Sequence, residues 1–231
     1  MSNLCRYAVM GSRRFNNYYL LQNYLREMLP PANQAIIISG HSAGTDQLAE
    51  VYAQIHGYPV ELYECNWEMF GRDAVIRQRA QIVESSDYCI AFWDGTSPGT
   101  KAVIDMFKRK NKRVNIIDIN EDDIIKMCDK VGHVNHDPFD VYIGRGKNSV
   151  FGNPFRVTSK DTKTIVLAKY TDYLLNTPEL LEKVLELDGK TLGCWCHYEE
   201  LCHGDVIYWL LKHEKRILLQ IVNKWKYPNG M

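Results

Sequence analysis

Three short apolar runs in the first hundred residues each end in a turn rich in glycine and hydroxyl side chains, and each turn opens an amphipathic stretch. They are CRYAVM before Gly11-Ser12-Arg13-Arg14-Phe15, AIIIS before Gly40-His41-Ser42-Ala43-Gly44-Thr45-Asp46, and YCIAFW before Asp94-Gly95-Thr96-Ser97-Pro98-Gly99-Thr100. A wholly apolar run followed by a helical pattern is how a parallel strand, buried on both faces, reads together with its crossover helix. In such a sheet the strand-to-helix turns gather at the carboxyl edge, where ligands bind. Helix N-termini there offer free N–H groups and a positive dipole, which favour phosphate or carboxylate. Glycine allows close backbone approach, and serine and threonine add donors. The first half of the chain therefore reads as a site for a nucleotide or a nucleotide derivative.

The alternation continues through residue 119, with strands expected at 5–10, 34–39, 59–64, 88–93 and 113–119 and helices at 17–29, 45–57, 74–85 and 100–111. This predicts an α/β fold: a Rossmann-like, mostly parallel sheet with helices on both faces. The pattern then breaks at an acidic opening (Glu121, Asp122, Asp123) that leads to polar His133, Asn135 and His136. The expected organisation is a Rossmann-like domain over 1–120, a linker over 121–132 and a smaller α+β domain over 133–231. In that second domain the pattern gives a strand at 139–144, an irregular glycine-rich loop, two helices across 162–187, a strand at 190–195 and a helix from 203.

Composition excludes several classes. With 28 basic and 28 acidic side chains the net charge is zero, so no overall field steers the chain to DNA, RNA or anionic lipid, and nucleic acid is not the expected partner. The local cluster Lys108, Arg109, Lys110, Lys112 and Arg113 reads first as a solvated helix end. No apolar stretch reaches membrane-spanning length, and the N-terminus does not read as a secretory signal. Seven cysteines, an odd number, point to reduced thiols in a cytoplasmic protein rather than a disulfide framework. Neither G-x-x-x-x-G-K-[ST] nor a proper G-x-G-x-x-G is present, which argues against NTP hydrolysis and dinucleotide redox chemistry.

The order Gly11-Ser12-Arg13-x-Phe15, Ser39-Gly40-x-x-x-Gly44-x-Asp46-x-Leu48-Ala49, Trp67 with Gly71-Arg72 and Arg77, then Gly95-x-x-x-Gly99-Thr100 resembles the SLOG superfamily, in its YspA/YpsA-related branch. The resemblance implies a Rossmann-like domain that binds nucleotides or molecules derived from them, and a homo-oligomer. Relatives in that superfamily include Lonely Guy phosphoribohydrolases, a DNA-processing recombinase loader and sensors of nucleotide signals in bacterial immunity. Expected ligand-binding positions are Gly11, Ser12, Arg13, Gly40, Ser42, Gly44, Thr45, Gly95, Thr96, Ser97, Gly99 and Thr100, the last group as a backbone nest for phosphate oxygens. Asp46 and Arg77 are the expected catalytic pair, one for ribose or the glycosidic centre, the other for a forked bond to phosphate. Trp67 or Trp93 either stacks on a base or packs inside. One departure matters: Lonely Guy enzymes carry a catalytic glutamate three residues after their Gly-Thr, and Val103 stands there here. Valine neither stabilises an oxocarbenium-like centre nor activates water.

The second half carries Tyr142-Ile143-Gly144-Arg145, then Phe151-Gly152-Asn153-Pro154-Phe155, then Cys194-Trp195-Cys196-His197 and Cys202-His203-Gly204-Asp205. This resembles a domain family of unknown function found in bacteria and many phages. Cys194, Cys196, Cys202 and His203 make a Cys₃His set, for which zinc is the candidate cofactor. Two features count against it: Cys202 and His203 are adjacent, and C-x-C is tighter than the usual knuckle. The other readings are a reactive thiol activated by His203 or a helix N-terminus, and buried thiols beside a capped helix start. If the loops carrying Arg145, Asn153 and Asp205 meet, they supply an arginine, an amide and an acid for glycosidic or nucleotide chemistry. The expected activity is cleavage or transfer at an N-glycosidic bond of a nucleotide. The alternatives are a non-catalytic sensor or phage sponge for an immune signalling nucleotide, and a DNA-processing accessory.

Overall fold

The computed structural model describes residues 4–147, 149–197 and 199–228, so the first three and last three positions of the expected domains lie outside the described residues. The chain divides into two compact units, one ending at Ile124 and one beginning at Ile125.

In the first unit, strands β1 (Cys5–Gly11), β2 (Ala35–Ser39), β3 (Val60–Leu62), β4 (Tyr88–Trp93) and β5 (Arg113–Asp118) form one sheet. The order is β3-β2-β1-β4-β5 and every pairing is parallel. Helices α1 (Tyr18–Met28), α2 (Thr45–His56), α4 (Ala74–Ser85) and α5 (Pro98–Arg109) make the crossovers, and a one-turn helix α3 (Trp67–Phe70) precedes α4. The fold is Rossmann-like. Ala8, Ile38 and Ala91 from the sheet pack with Ile82 and Val83 of α4 and with Val103, Ile104 and Phe107 of α5. Helix α2 packs on β1 and β2 beside α1. The chain fills one side of β1 first and then crosses to β4 on the other, so the turns after β1 and β4 diverge and open a crevice at the switch point.

The second unit is smaller: a three-stranded sheet in the order β6-β8-β7, also parallel, with helices. Its strands are β6 (Val131–His133), β7 (Val141–Tyr142) and β8 (Leu192–Cys194); its helices are α6 (Lys163–Leu175), α7 (Pro178–Leu185), α8 (His203–His213) and α9 (Lys215–Lys226). β6 begins inside the expected linker, and the expected helix from 203 breaks at Glu214 into α8 and α9. Gly193 and Gly204 permit the close packing. A Cβ on Gly193 would lie 2.5 Å from the Phe139 ring, and one on Gly204 would lie 2.8 Å from Ile143 and 2.9 Å from Val131. The N-terminus of α8 therefore presses onto the sheet, where His203 meets the chain just past β7. No helix among the described residues is long and apolar enough to cross a membrane.

Candidate functional site: a phosphate-type crevice and a Cys₃His cluster

The crevice of the first unit is a cavity of about 960 Å³. Its frame is a set of hydrogen bonds between the turns after β1 and β4. The Ser12 amide donates to the Phe92 carbonyl at 2.9 Å, and the Ser12 hydroxyl to Asp94 Oδ2 at 2.8 Å. Asp94 also accepts the Ser97 hydroxyl at 2.7 Å and the backbone amides of Thr96 (3.0 Å) and Ser97 (2.7 Å). Partial burial opposes the charge on Asp94, but the bonds from Ser97, Ser12 and Thr96 hold its carboxyl well below the usual carboxylate range. Asp94 is thus a fixed anchor that shapes the turn leading into α5.

Of the expected ligand-binding positions, Gly11, Ser12, Arg13, Gly40, Ser42, Ser97, Gly99 and Thr100 line this cavity, as does Asp46. Gly44, Thr45, Gly95 and Thr96 do not; they shape the loops instead. Gly44 holds φ +82°, and a Cβ there would lie 2.5 Å from the Ser12 carbonyl. The Thr45 hydroxyl donates to that same carbonyl at 3.2 Å. Gly95 has φ +72°, and the Thr96 amide is bound to Asp94. Arg77 also stays off the lining, exposed, with its guanidinium 4.4 Å from the centroid of the Phe70 ring.

The arginine that α4 does deliver is Arg79. A Cβ on Gly99 would lie 2.8 Å from its Nη2, which puts the guanidinium at the N-terminus of α5. Burial raises the thiol pKa of Cys65, and the charges of Arg79 and Arg13 pull it back, so both cations face that side of the cavity. Sequence reading passed over Arg79, yet the signal was there. Val75, Gln78, Arg79 and Ile82 follow one helical face, and two polar residues interrupt an otherwise apolar stripe. Gln78 uses its amide on the carbonyls of Gly40 (2.9 Å) and Tyr63 (2.6 Å), which ties α4 to the turn after β2.

Asp46 is 5% exposed on the cavity wall. Burial pushes its carboxyl up to about 7; the Ser42 amide, donating at 3.3 Å, opposes the shift, the nearby Glu50 charge adds to it, and the backbone amides of Gly11 and Gly40 oppose it further. Glu50 accepts from the Ser39 hydroxyl at 2.5 Å and lies 2.9 Å from His41 Nδ1, with His41 also on the lining. Val103 lines the cavity too, with no exposed surface. Trp67 sits on the lining at 58% exposure, whereas the Trp93 indole is tied to the Ser97 carbonyl at 3.2 Å.

In the second unit Cys194, Cys196, Cys202 and His203 come together, each offering a ligand atom within 4.8 Å of the others, so the set could hold a metal ion. The objection from adjacency falls at the helix start. Cys202 is extended at φ −110°, ψ 160°, and caps α8, so its thiol and the ring of His203 at the first helical position converge. Cys202 Sγ lies 3.4 Å from His203 Nδ1, Cys194 Sγ 3.9 Å from it, and Cys194 Sγ 3.6 Å from Cys196 Sγ. On the far side, His203 Nε2 donates to the Ile143 carbonyl at 2.8 Å. Burial opposes charge on His203, but its bonds to Cys194 and Cys196 push it up to about 9. The bonds that Cys194, Cys202 and His203 make to Cys196 draw that thiol far down.

The expected grouping of Arg145, Asn153 and Asp205 does not form. Arg145 and Asn153 line one cavity and Asp205 another, with Cys194 and Cys196 on the lining of both. Both Asp205 oxygens accept backbone amides, Cys202 at 2.6 Å and Cys128 at 2.7 Å, as part of a capping box. The Asn153 side chain accepts from the Phe155 amide at 2.9 Å and donates to the Val166 carbonyl at 3.3 Å. Both are framework residues.

Two family profiles match the chain, one within each unit. The profile of the YspA, cpYpsA-related SLOG family matches residues 5–70, the segment from β1 through α3 that carries the first two turns. The first unit carries a SLOG-family domain. A domain of unknown function, DUF4326, matches residues 127–213, which span the metal-type cluster. An uncharacterized protein of Acanthamoeba polyphaga mimivirus, R718, is 32% identical over 108 residues, covering 40% of this chain and 74% of its own length. No solved structure matches the chain. SLOG membership is consistent with a role in binding nucleotide-related ligands.

Proposed function

We propose that the SLOG unit binds a nucleoside phosphate in the crevice between β1 and β4 and acts on its N-glycosidic bond. The phosphate would lie at the N-terminus of α5 between Arg13 and Arg79, where helix dipole, free amides and two guanidinium groups add up. Asp46 carries the chemical part of the reading: a buried carboxyl poised at about 7 on the wall of the same cavity. In hydrolysis, ionised Asp46 takes a proton from water as its hydroxyl joins C1′. The C1′–N electrons leave with the base, and the proton passes to the departing nitrogen. A second reading, capture without turnover, is favoured by Val103, which fills the position of the Lonely Guy glutamate. One experiment separates the two. The purified protein is weighed intact, denatured and searched for released nucleotide, then incubated with adenosine 5′-monophosphate and assayed for adenine and ribose 5-phosphate. Base release supports hydrolysis, and an intact released nucleotide without base release supports capture. A protein that carries no nucleotide and releases no base overturns both readings.

For the Cys₃His set the favoured ion is zinc. Zn–S bonds of about 2.3 Å and a Zn–N bond of about 2.0 Å in a tetrahedron put ligand atoms roughly 3.5–3.8 Å apart. Three of the six distances here, 3.4, 3.6 and 3.9 Å, are within tenths of an ångström of these values, and all six lie within 4.8 Å, so side-chain shifts of up to about 1 Å would close the set round an ion. The Nε2 bond to Ile143 leaves Nδ1 for the metal and fixes the ring. Four protein ligands leave no open position, so the role is structural: the ion would clamp the end of β8 to the start of α8.

A further inference from the structure

The Y-I-G-R, G-N-P-F and C-W-C segments are absorbed neither by the crevice of the first unit nor, apart from the two cysteines, by the metal-type set. They converge on a cavity of about 490 Å³ in the second unit, within the usual range for small-molecule sites. Its lining includes Arg145, Arg156 and Lys163 and, among the described residues, no carboxylate. Cations gathered on one wall attract an anion, most strongly where a cation lacks a partner of its own. Lys163 is already partnered, by Glu200 at 3.4 Å and by the Cys196 thiol on the cavity wall at 3.7 Å, while Arg156 makes no hydrogen bond or ion pair among the described residues.

The wall is built, not incidental. Arg145 donates from Nε to the Asn153 carbonyl at 2.6 Å and from a terminal nitrogen to the Phe155 carbonyl, so its guanidinium is held in place. The Tyr142 hydroxyl donates to the Arg145 carbonyl at 2.9 Å and accepts the Trp195 indole N–H at 3.1 Å. A Cβ on Gly152 would lie 2.9 Å from Arg145 Cα, so glycine is what lets these two loops close on each other. Trp195, at 56% exposure, is therefore an exposed ring pinned by its polar edge and by an edge-on contact with His133. A fixed, exposed aromatic face beside clustered cations is the combination that stacks bases and holds phosphates.

We propose that this cavity is a second ligand site, which takes a nucleotide unit with its phosphate among Arg145, Arg156 and Lys163 and its base against Trp195. The site is separate from the crevice of the SLOG unit and does not depend on what that crevice binds.

The test reads the five tryptophan indole N–H resonances of the full-length, ¹⁵N-labelled, zinc-supplied chain, with Trp195→Phe used to assign one of them. Three probes are titrated separately: adenosine 5′-monophosphate, a short oligothymidylate and inorganic phosphate. The expected result is a saturable shift of the Trp195 resonance with a nucleotide probe, weakened at least tenfold in Arg156→Ala and unchanged in Arg79→Ala. A tighter response to the mononucleotide identifies a free nucleotide as the source, and a tighter response to the oligomer identifies a strand; either supports the site. No Trp195 shift up to about 1 mM, the weak end of ordinary metabolite affinities, overturns it. So does an equal shift with inorganic phosphate, or a response that Arg156→Ala leaves intact. A shift confined to Trp67 would overturn this site while supporting the one in the SLOG unit.

Discussion

Asp46 should make the first unit lose stability as pH rises from about 4 to about 7. The folded carboxyl titrates at about 7 against a reference of 3.8, so the folded unit still holds a proton that the unfolded chain has released. Where the native state binds more protons, unfolding free energy falls with rising pH. The contribution is complete below the unfolded value, declines through the window between the two values, and levels off above the folded one. Three units at about 1.4 kcal/mol each give a loss of about 4 kcal/mol across that window. Asp46→Asn removes the titration and also disturbs the amides of Ser42, Gly11 and Gly40 that point at the carboxylate, but that second cost does not vary with pH. The discriminating quantity is therefore the change with pH in the stability difference between wild type and variant. Glu50 and Cys89 interact with the same carboxyl and are present in both proteins. Hydrogen exchange at β1 and β2 amides reads the first unit alone. Between pH 4 and pH 8 Asp46→Asn should gain about 4 kcal/mol relative to wild type. A relative change below about 1 kcal/mol would refute a carboxyl poised near neutrality, and with it the acid–base role given to this residue.

The two arginines of α4 should separate in binding: Arg79→Ala weakens binding of adenosine 5′-monophosphate by calorimetry at least tenfold, about 1.4 kcal/mol, and Arg77→Ala changes it less than twofold. Equal effects would remove Arg79 from the phosphate end. Protein grown with zinc should carry one equivalent by elemental analysis, and His203→Ala should lose most of it. A strong chelator should lower the melting temperature of the second unit by on the order of 10 °C; full-length protein that takes up no zinc would sink the structural-metal reading. Gly44→Ala should destabilise the first unit by roughly 2–4 kcal/mol in the same exchange experiment, because φ +82° and the Ser12 carbonyl 2.5 Å away both exclude a Cβ. A cost under about 0.5 kcal/mol would show that the loop relaxes freely.

The sheet of the first unit was legible because its inner strands β2 and β4 are largely buried on both faces. AIIIS and YCIAFW are short β-branched or aromatic runs that read as buried strands, and the structure places them at Ala35–Ser39 and Tyr88–Trp93. The crevice was legible for the same reason, since turns that follow parallel strands must share one edge. What one dimension could not show was which side of a helix faces that edge. Arg77 and Arg79 are two residues apart, roughly 200° around α4, so one meets Phe70 and the other the cavity. The short strands of the second unit were harder. Val131-Gly132-His133 is three residues long, too short for a period to emerge, and its identity as a strand depends on pairing with residues 192–194.

The Cys₃His set shows where reasoning from spacing fails and where geometry takes over. Adjacent ligands are awkward within a strand, where successive side chains point to opposite faces, and also within a helix, where they diverge by about 100°. At a helix N-terminus neither rule applies, because the backbone changes conformation between the two residues. Cys202 is extended and caps α8, so its thiol turns back over the first turn toward the ring of His203. Asp205 holds that conformation by accepting the Cys202 amide, and Gly204 removes the Cβ that would keep α8 off Ile143 and Val131. Within the Cys-His-Gly-Asp string, the cysteine would supply a thiol ligand and the histidine an imidazole ligand, while the glycine gives close packing and the aspartate the cap. If that division is right, Asp205 acts on the metal only through the cap. Asp205→Asn, which still accepts one amide, should retain more zinc than Asp205→Ala, whereas a direct ligand role would make the two equally damaging.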